Sequence, residues 1–337
     1  MRLTLVVPGL LDLPPAVLAS AHAPALSRLL ASGDPPSNEQ DGSLAAACRA
    51  CGIARQDDWP VAPRLARAAG VDPAGAYWLC AEPASLSVGA DSVRLGALVA
   101  DLPPEEAQAI VATLSAHFAA DGIVFAAPTP ARWFVRAVQA QRLATRPPEA
   151  ALGESLLSTL PEGPDAPRWR RWQTEIEMLL FEHPVNRRRE RAGECPLNGL
   201  WLWGGGTDGT QATAPASIFA RAARVVELAR GSAVDVRPPP ASFDALARVD
   251  NAAVWLDALD AGSAERALSA LDRAWIAPVQ RAIDAAQVTS AEIVLAGRER
   301  ALRFRPKRAS VTRRWRARLS QRGAPLAQLL ASATAER

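Results

Sequence analysis

The sequence predicts an α/β fold of three layers: a mostly parallel sheet flanked on both faces by helices. Three observations predict it. Short continuous apolar runs such as LTLVV and EIVLA recur along the 337 residues, as strands buried on both faces require. Stretches of helix length alternate with those runs, the order that builds βαβ units. Apolar residues make up 49% and charged residues 22%, which is globular usage and argues against a disordered or fibrous chain. A chain of this length buries a sizeable core.

The elements follow in order. Strands are expected at 3–7, 77–80, 122–126, 133–137, 199–203, 233–236, 252–257, 292–296 and 302–305. Helices are expected at 16–31, 44–51, 62–69, 104–119, 169–182, 215–230 and 264–285. The helix at 104 opens Pro-Glu-Glu, which suits the positive end of a helix dipole. The stretch 145–167 is rich in Pro, Gly and acids and reads as a surface linker with a short helix at 150–159. It divides an N-terminal α/β part, 1–144, from a C-terminal α/β part, 168–337. One continuous domain is the alternative, because the last strands can complete the first sheet.

Charge and cysteines exclude several classes. The net charge of +3 is too small to imply a nucleic-acid or membrane partner for the whole chain. No apolar run reaches the roughly 18–20 residues of a membrane span. The N-terminus superficially resembles a signal peptide, but Asp12, Pro14 and Pro15 interrupt it, so strand, turn and helix fit better and the cytoplasm is the expected location. Cys48 and Cys51 form a C-x-x-C pair in SLAAACRACG. Zinc needs a second pair or nearby histidines, and neither is there. Packing of small residues in a helix is the favoured reading, with a redox pair as the alternative.

The most informative segment is FEHPVNRRRERAGECPLNGLWLWGGGTDGT. A helix ends near Glu182, and His183-Pro184 stops it. A polar loop dense in arginine is expected next, then a strand, then the run Gly204-Gly205-Gly206. A glycine loop after a strand offers backbone N–H groups to an anion. Arg187, Arg188, Arg189 or Arg191 can add charge-assisted bonds. No Gly-Lys-Ser/Thr follows, so this is not a P-loop, nor is it the dinucleotide fingerprint. A tight turn is the plainer alternative. For His183 that alternative is a helix-end histidine bonded to backbone.

The spacing H-P-V-N-x-x-R-x-x-x-G-x-x-P-x-N-x-x-W-x-W-G-x-G is met by His183, Pro184, Val185, Asn186, Arg189, Gly193, Pro196, Asn198, Trp201, Trp203, Gly204 and Gly206. It resembles the signature of archaeal-type cofactor-independent phosphoglycerate mutases, of the alkaline phosphatase superfamily. The whole chain more closely resembles a shorter proteobacterial group of phosphoglycerate mutase-like, or RpfE-type, regulatory proteins. GAYWLCAEPASL, PPEEAQAIVATLSAHFAADGIVF and PTPARWFVR carry that likeness. The resemblance implies an alkaline phosphatase-like core, reduced in size. It points to Asn186, Arg189 and Asn198 as ligand contacts, beside His183 and Gly204, Gly205 and Gly206.

The same resemblance shows what is missing. Those mutases use two divalent metals and a serine nucleophile. An Asp directly after the first strand is their first ligand, and here Pro8 stands in its place. Asp12 follows four residues later, in a different turn. The histidines are His22, His117 and His183, and none falls in the late region where Asp257 and Asp260 lie. Ser37 and Ser43 have no activating neighbour in sequence. Ser85 stands where relatives often carry histidine. No catalytic residue, metal ligand or cofactor is therefore assigned.

Three functions follow as expectations. The favoured one is a non-catalytic protein that binds a phosphorylated metabolite or a protein partner in a regulatory role. The second is an active mutase or phosphatase with a rebuilt site. The third rests on the basic run between Arg298 and Arg322, with eleven Arg or Lys residues and one acid, Glu299. Arginines interleaved with Phe304 and Trp315 can bind nucleic acid or an acidic partner, though a solvated edge strand and an Arg-rich helix are favoured there.

Overall fold

The computed structural model describes residues 1–32, 36–39, 42–89, 93–209, 214–246, 249–257, 259, 262–308 and 326–335. The chain divides into two compact units. The first joins Met1–Gly52 to Thr213–Arg337, and the second is the intervening Ile53–Ala212. The stretch 145–167, expected to be a linker between halves, lies inside the second unit, where Ala144 and Glu162 exchange backbone bonds of 2.9 Å.

The first unit is built on a seven-stranded sheet. Its strands are β1 (Arg2–Val7), β2 (Ser37–Glu39), β8 (Ser217–Phe219), β9 (Asp235–Arg237), β10 (Asn251–Trp255), β11 (Ser290–Ala296) and β12 (Ala301–Phe304), in the order β2-β12-β11-β1-β10-β8-β9. From β11 to β9 every pairing is parallel, whereas β12 and β2 add antiparallel at one edge. Alternate side chains explain the layering. Leu3, Leu5 and Val7 of β1 join Val254, Ile293 and Leu295 in one core. That core is covered by α1 (Pro15–Ser20), α2 (Pro24–Ser32), α11 (Ala264–Leu271), α12 (Ala277–Asp284) and α13 (Leu326–Ala335). Val6 and Val294 face the other way and are equally buried, and α3 (Ser43–Ala50) packs on β11 and on α10 (Ala223–Gly231). The α/β architecture with a mixed, largely parallel sheet between helices is therefore present.

Three expected helices are corrected. The helix at 16–31 is two helices, since the chain is extended at Ala21. The helix at 215–230 begins as strand β8, because Ser217, Ile218 and Phe219 are buried between two parallel neighbours. The helix at 264–285 widens into a π-helical turn over Asp272–Ile276. That turn has a use. Asp272, 2% exposed, accepts bonds from the N–H groups of Ala25 (3.0 Å) and Leu26 (2.7 Å) and so caps α2 from another helix. Replacing Asp272 by Ala leaves two buried donors without partners. Urea denaturation is expected to show a loss of about 2 kcal/mol.

The second unit carries an antiparallel sheet, which the sequence reading did not separate from the first. Its strands are β3 (Tyr77–Val88), β4 (Val93–Leu98), β5 (Ile123–Thr129), β6 (Arg132–Ala137) and β7 (Gly199–Thr207). The long β3 pairs with β7 along Tyr77–Ala84, with β6 along Tyr77–Cys80 and with β4 along Ala84–Val88. Its helices are α4 (Val61–Ala68), α5 (Pro104–His117), α6 (Pro148–Ala151), α7 (Leu156–Thr159), α8 (Ala166–Glu182) and α9 (Pro184–Ala192). Trp133, Trp169, Trp172 and Phe118 fill the core beneath α5 and α8. No helix among the described residues is long and apolar enough to cross a membrane.

Candidate functional site

The segment that follows Glu182 was expected to be an arginine-rich loop. It is the helix α9, with Pro184 in its first turn and Gly193 (φ 71°) ending it. His183 caps that helix: its Nδ1 accepts from Val185 N–H at 3.3 Å, and its Nε2 lies 3.1 Å from Thr113 Oγ1. Burial, and then the Arg188 charge, hold the His183 pKa below its ordinary value.

The three polar residues singled out as ligand contacts are engaged within the protein. Asn186, 2% exposed, donates to the carbonyls of Leu180 (2.6 Å) and Leu197, while its Oδ1 accepts from Leu197 N–H at 3.0 Å. It sews the end of α8 to the strand entering β7. Asn198 does the same to β3, accepting from Leu86 N–H at 2.6 Å and donating to Leu86 carbonyl at 2.9 Å. Arg189, 1% exposed, donates from Nε to Cys195 carbonyl at 2.9 Å and faces Asp101 (3.3 Å), Glu194 (3.2 Å) and Glu106 (3.5 Å). An open cleft of about 390 Å³ lies beside it, lined by Glu106, Arg188, Arg189, Arg191, Ala192 and Glu194. Arg188 and Arg191 are exposed there.

The glycine run is not an anion loop. Gly204, Gly205 and Gly206 lie within β7, opposite Trp78 and Leu79 of β3. The pairing steps from Trp78↔Gly206 to Cys80↔Trp203, so β7 carries one extra residue, a β-bulge at which Gly204 takes φ 69°. Glycine is needed for closeness too: a Cβ on Gly206 would stand 2.5 Å from Pro60 Cβ, and one on Gly204 2.9 Å from Val61 Cβ. The freed N–H groups already have acceptors. Gly204 donates to Thr145 Oγ1 at 2.8 Å, and Gly205 to Asp58 Oδ2 at 3.3 Å.

Asp58, Thr145 and Tyr77 were not singled out from the sequence. Asp58 is 5% exposed, and burial pushes its pKa up to about 6 against four hydrogen bonds that pull it down. Tyr77 Oη is buried beside Gly205 with no hydrogen-bond partner among the described residues. Burial, then the nearby Asp58, Asp57 and Asp165, raise its pKa. The one signal for Asp58 was its place in the polar run RQDDW just before α4.

The carboxyl ends of the parallel strands in the first unit are where α/β sheets bind ligands. At β1 the chain continues into Pro8 and Gly9, with no donor side chain. Asp12 Oδ1 accepts from Arg298 N–H at 3.1 Å, and Ser43 Oγ donates to Gly297 carbonyl at 2.9 Å. Asp257 is exposed and 3.7 Å from Arg221. Asp260 lies outside the described residues. His22 is exposed between α1 and α2, and His117 pairs with Glu175 at 3.3 Å. Among the described residues no three His, Cys, Asp or Glu side chains are grouped to hold a metal ion, so these residues do not fit a two-metal centre. Cys48 and Cys51 are buried and not joined in a disulfide, and burial pushes the Cys51 pKa up to about 12, the opposite of a reactive thiol. In the basic run, Phe304 is 3% exposed in the core, and Arg303 pairs with Glu39 at 2.8 Å and also with Glu292. Trp315 lies outside the described residues.

No family model matches the chain. It is 32% identical over 128 residues to a probable 2,3-bisphosphoglycerate-independent phosphoglycerate mutase of Geobacter sulfurreducens, covering 37% of this chain and 31% of that one. It is 43% identical over 60 residues to the 2,3-bisphosphoglycerate-independent phosphoglycerate mutase of Methanothrix thermoacetophila, covering 18% and 15% of the two chains. The matches thus span less than a third of each relative's length. The fold is shared with the PH0037 protein of Pyrococcus horikoshii, at a TM-score of 0.51 and 16% identity over 92% of this chain and 88% of that one. Over part of its length, the chain is homologous to the cofactor-independent phosphoglycerate mutases.

Proposed function

We propose that the chain is a non-catalytic, phosphoglycerate mutase-like protein, akin to the shorter RpfE-type group, and that it binds a phosphorylated metabolite in a regulatory role. The observation that carries this reading is the carboxyl edge of the parallel sheet. Pro8 follows β1, Asp12 is bonded to backbone, and no histidine occurs in the sequence after Ala252. Two-metal phosphoryl transfer needs several carboxylates and histidines converging there. The reading includes a cytoplasmic location.

Binding is assigned to guanidinium groups rather than to the glycine run, whose bulge donors are already used. Arg187, Arg188 and Arg191 are exposed on α9, two of them in the cleft. Arg188 lies 2.9 Å from Glu106 on the surface, a contact that an incoming phosphate can exchange. The purified protein with 3-phosphoglycerate and added manganese is the test. Turnover is expected to stay below about 1 s⁻¹, the low end of ordinary enzymes, while calorimetry with 3-phosphoglycerate detects binding that Arg188→Ala with Arg191→Ala removes. Turnover above that rate would return the chain to the active mutases with a rebuilt site.

A further inference from the structure

The helices α8 and α9 follow one another along α5 and run antiparallel to it. His117, at the end of α5, meets Glu175 at 3.3 Å; Thr113 meets His183 at 3.1 Å; and Glu106, in the first turn of α5, meets Arg188 at 2.9 Å. Both helices turn their inward sides to one core: Trp172, Ile176 and Leu180 come from α8, and Val185 from α9. At about 3.6 residues per turn, the side of α8 opposite that core carries Thr174, Met178 and Phe181. The same geometry puts Arg187 and Arg191 on the outward side of α9. All five are exposed, Met178 by 66% and Phe181 by 74%.

Met178 and Phe181 stand three residues apart on one helix, so they are neighbours on its surface. Neither belongs to the core, and methionine and aromatic side chains are enriched where proteins meet. Among the described residues, neither Arg187 nor Arg191 has a hydrogen bond or an ion pair. An apolar pair is thus followed along one side of the unit by two unpaired cations. We propose that this strip is a docking surface for an acidic, amphipathic segment of another protein. The segment's apolar side chains cover Met178 and Phe181, and its carboxylates meet Arg187 and Arg191, whose planar guanidinium groups match a carboxylate.

Charge selects that occupant over two others. A second copy docking through the same face would lay one basic strip against another, and like charges across an interface oppose association. A flat anionic membrane would press on the exposed Glu182 and Glu190 as well as on the arginines. A protein segment can place its acids over Arg187 and Arg191 and its apolar residues over α8. The surface is distinct from the cleft assigned to a metabolite: Arg191 lines that cleft, whereas Met178, Phe181 and Arg187 do not.

The test is an array of short peptides that share two apolar anchors at helical spacing and differ in their number of glutamates or lysines. Binding of the fluorescently labelled full chain should rise with glutamate content. In solution, the best acidic peptide should bind Phe181→Ser about tenfold more weakly and Arg187→Glu about fivefold more weakly, as fluorescence anisotropy reads it. Added salt should weaken its binding to the parent protein. Both side chains are exposed, so the two variants should keep the parent's urea midpoint. Phe181→Ser should also leave calorimetry with 3-phosphoglycerate as in the parent. The two readings fail separately, because the peptide result needs no metabolite. Absence of peptide binding, binding that ignores charge or rises with lysine, or an affinity unchanged in Phe181→Ser would each overturn the proposal. Tighter binding to phosphatidylserine vesicles than to any peptide would overturn it in favour of a membrane. A dimer in analytical ultracentrifugation that Phe181→Ser abolishes would overturn it in favour of a second copy.

Discussion

Replacing Arg189 by Ala is expected to cost about 3–5 kcal/mol, the range for removing one partner of a buried ion pair. The guanidinium is 1% exposed and carries four sets of contacts: Cys195 carbonyl, Asp101, Glu106 and Glu194. Its loss leaves the Cys195 carbonyl without its donor and Glu106, 11% exposed, beside the space vacated, while Asp101 and Glu194, 76% and 51% exposed, return to solvent. Arg188 alone then pairs with Glu106, whose side chain is 11% exposed. Lys at 189 should recover only part of the loss, because an ammonium lacks the planar fork that serves several acceptors at once. Arg188→Ala is the control. Its side chain is 58% exposed, and exposed ion pairs are worth about 0–1 kcal/mol. Urea denaturation of the three variants orders them, and a change below about 1 kcal/mol for Arg189→Ala would show that the residue is not structural.

Gly205→Ala is expected to be the other severe change, at about 3 kcal/mol, near the upper end of overpacking costs. A Cβ there would overlap Tyr77 Oη and stand 2.8 Å from Leu79 Cδ2. Both are side chains of β3 buried in the core, 4% and 1% exposed, so they can withdraw only by repacking what surrounds them. Part of the clash is with a hydroxyl that has no partner among the described residues. Tyr77→Phe should therefore be stabilising by about 1 kcal/mol, the lower cost of an unpaired buried polar group. In the double variant the two changes should couple by more than about 0.5 kcal/mol, since contacting residues are not additive. Additive stabilities in thermal or urea unfolding would remove the proposed contact.

The strands were the legible part of the fold. Each of the nine apolar runs lies in or overlaps a strand, because burial on one or both faces writes itself as continuous or alternating apolar residues. The three strands that were missed are short or polar: β2 is SNE, β8 is SIF, and β4 is an exposed VRLGAL. The helix α9 resembles a loop in sequence because its buried positions include Asn186 and Arg189 as well as Val185. A helix that buries polar side chains has no apolar stripe to detect. Yet Pro184 at its start and Gly193 just past its end are ordinary helix signals. The glycine run is ambiguous for a different reason. Its composition marks backbone freedom, but whether that becomes a loop or a bulge depends on what receives the freed N–H groups. Asp58 and Thr145 do so from 147 and 59 residues away, and no local pattern announces them.

The candidate site was legible in outline only. Three residues of the signature are bonded within the protein. Asn186 and Asn198 fasten α8, β7 and β3 together, and Arg189 holds the turn after α9. Spacing alone cannot tell a side chain that holds its own backbone from one that holds a ligand, because both demand a fixed polar group at a fixed place.

The interruption of the first unit at Gly52 also sets an order for synthesis. On a ribosome, β1 emerges well before its partners β10 and β11, which begin at Asn251 and Ser290. Its apolar face must wait for nearly the whole chain before it can pair. The second unit is contiguous from Ile53 to Ala212, so it is complete while the central sheet still lacks its middle. Nascent chains released just before Asn251 should thus hold one finished unit beside an unpaired apolar strand, the state in which a chaperone is most needed.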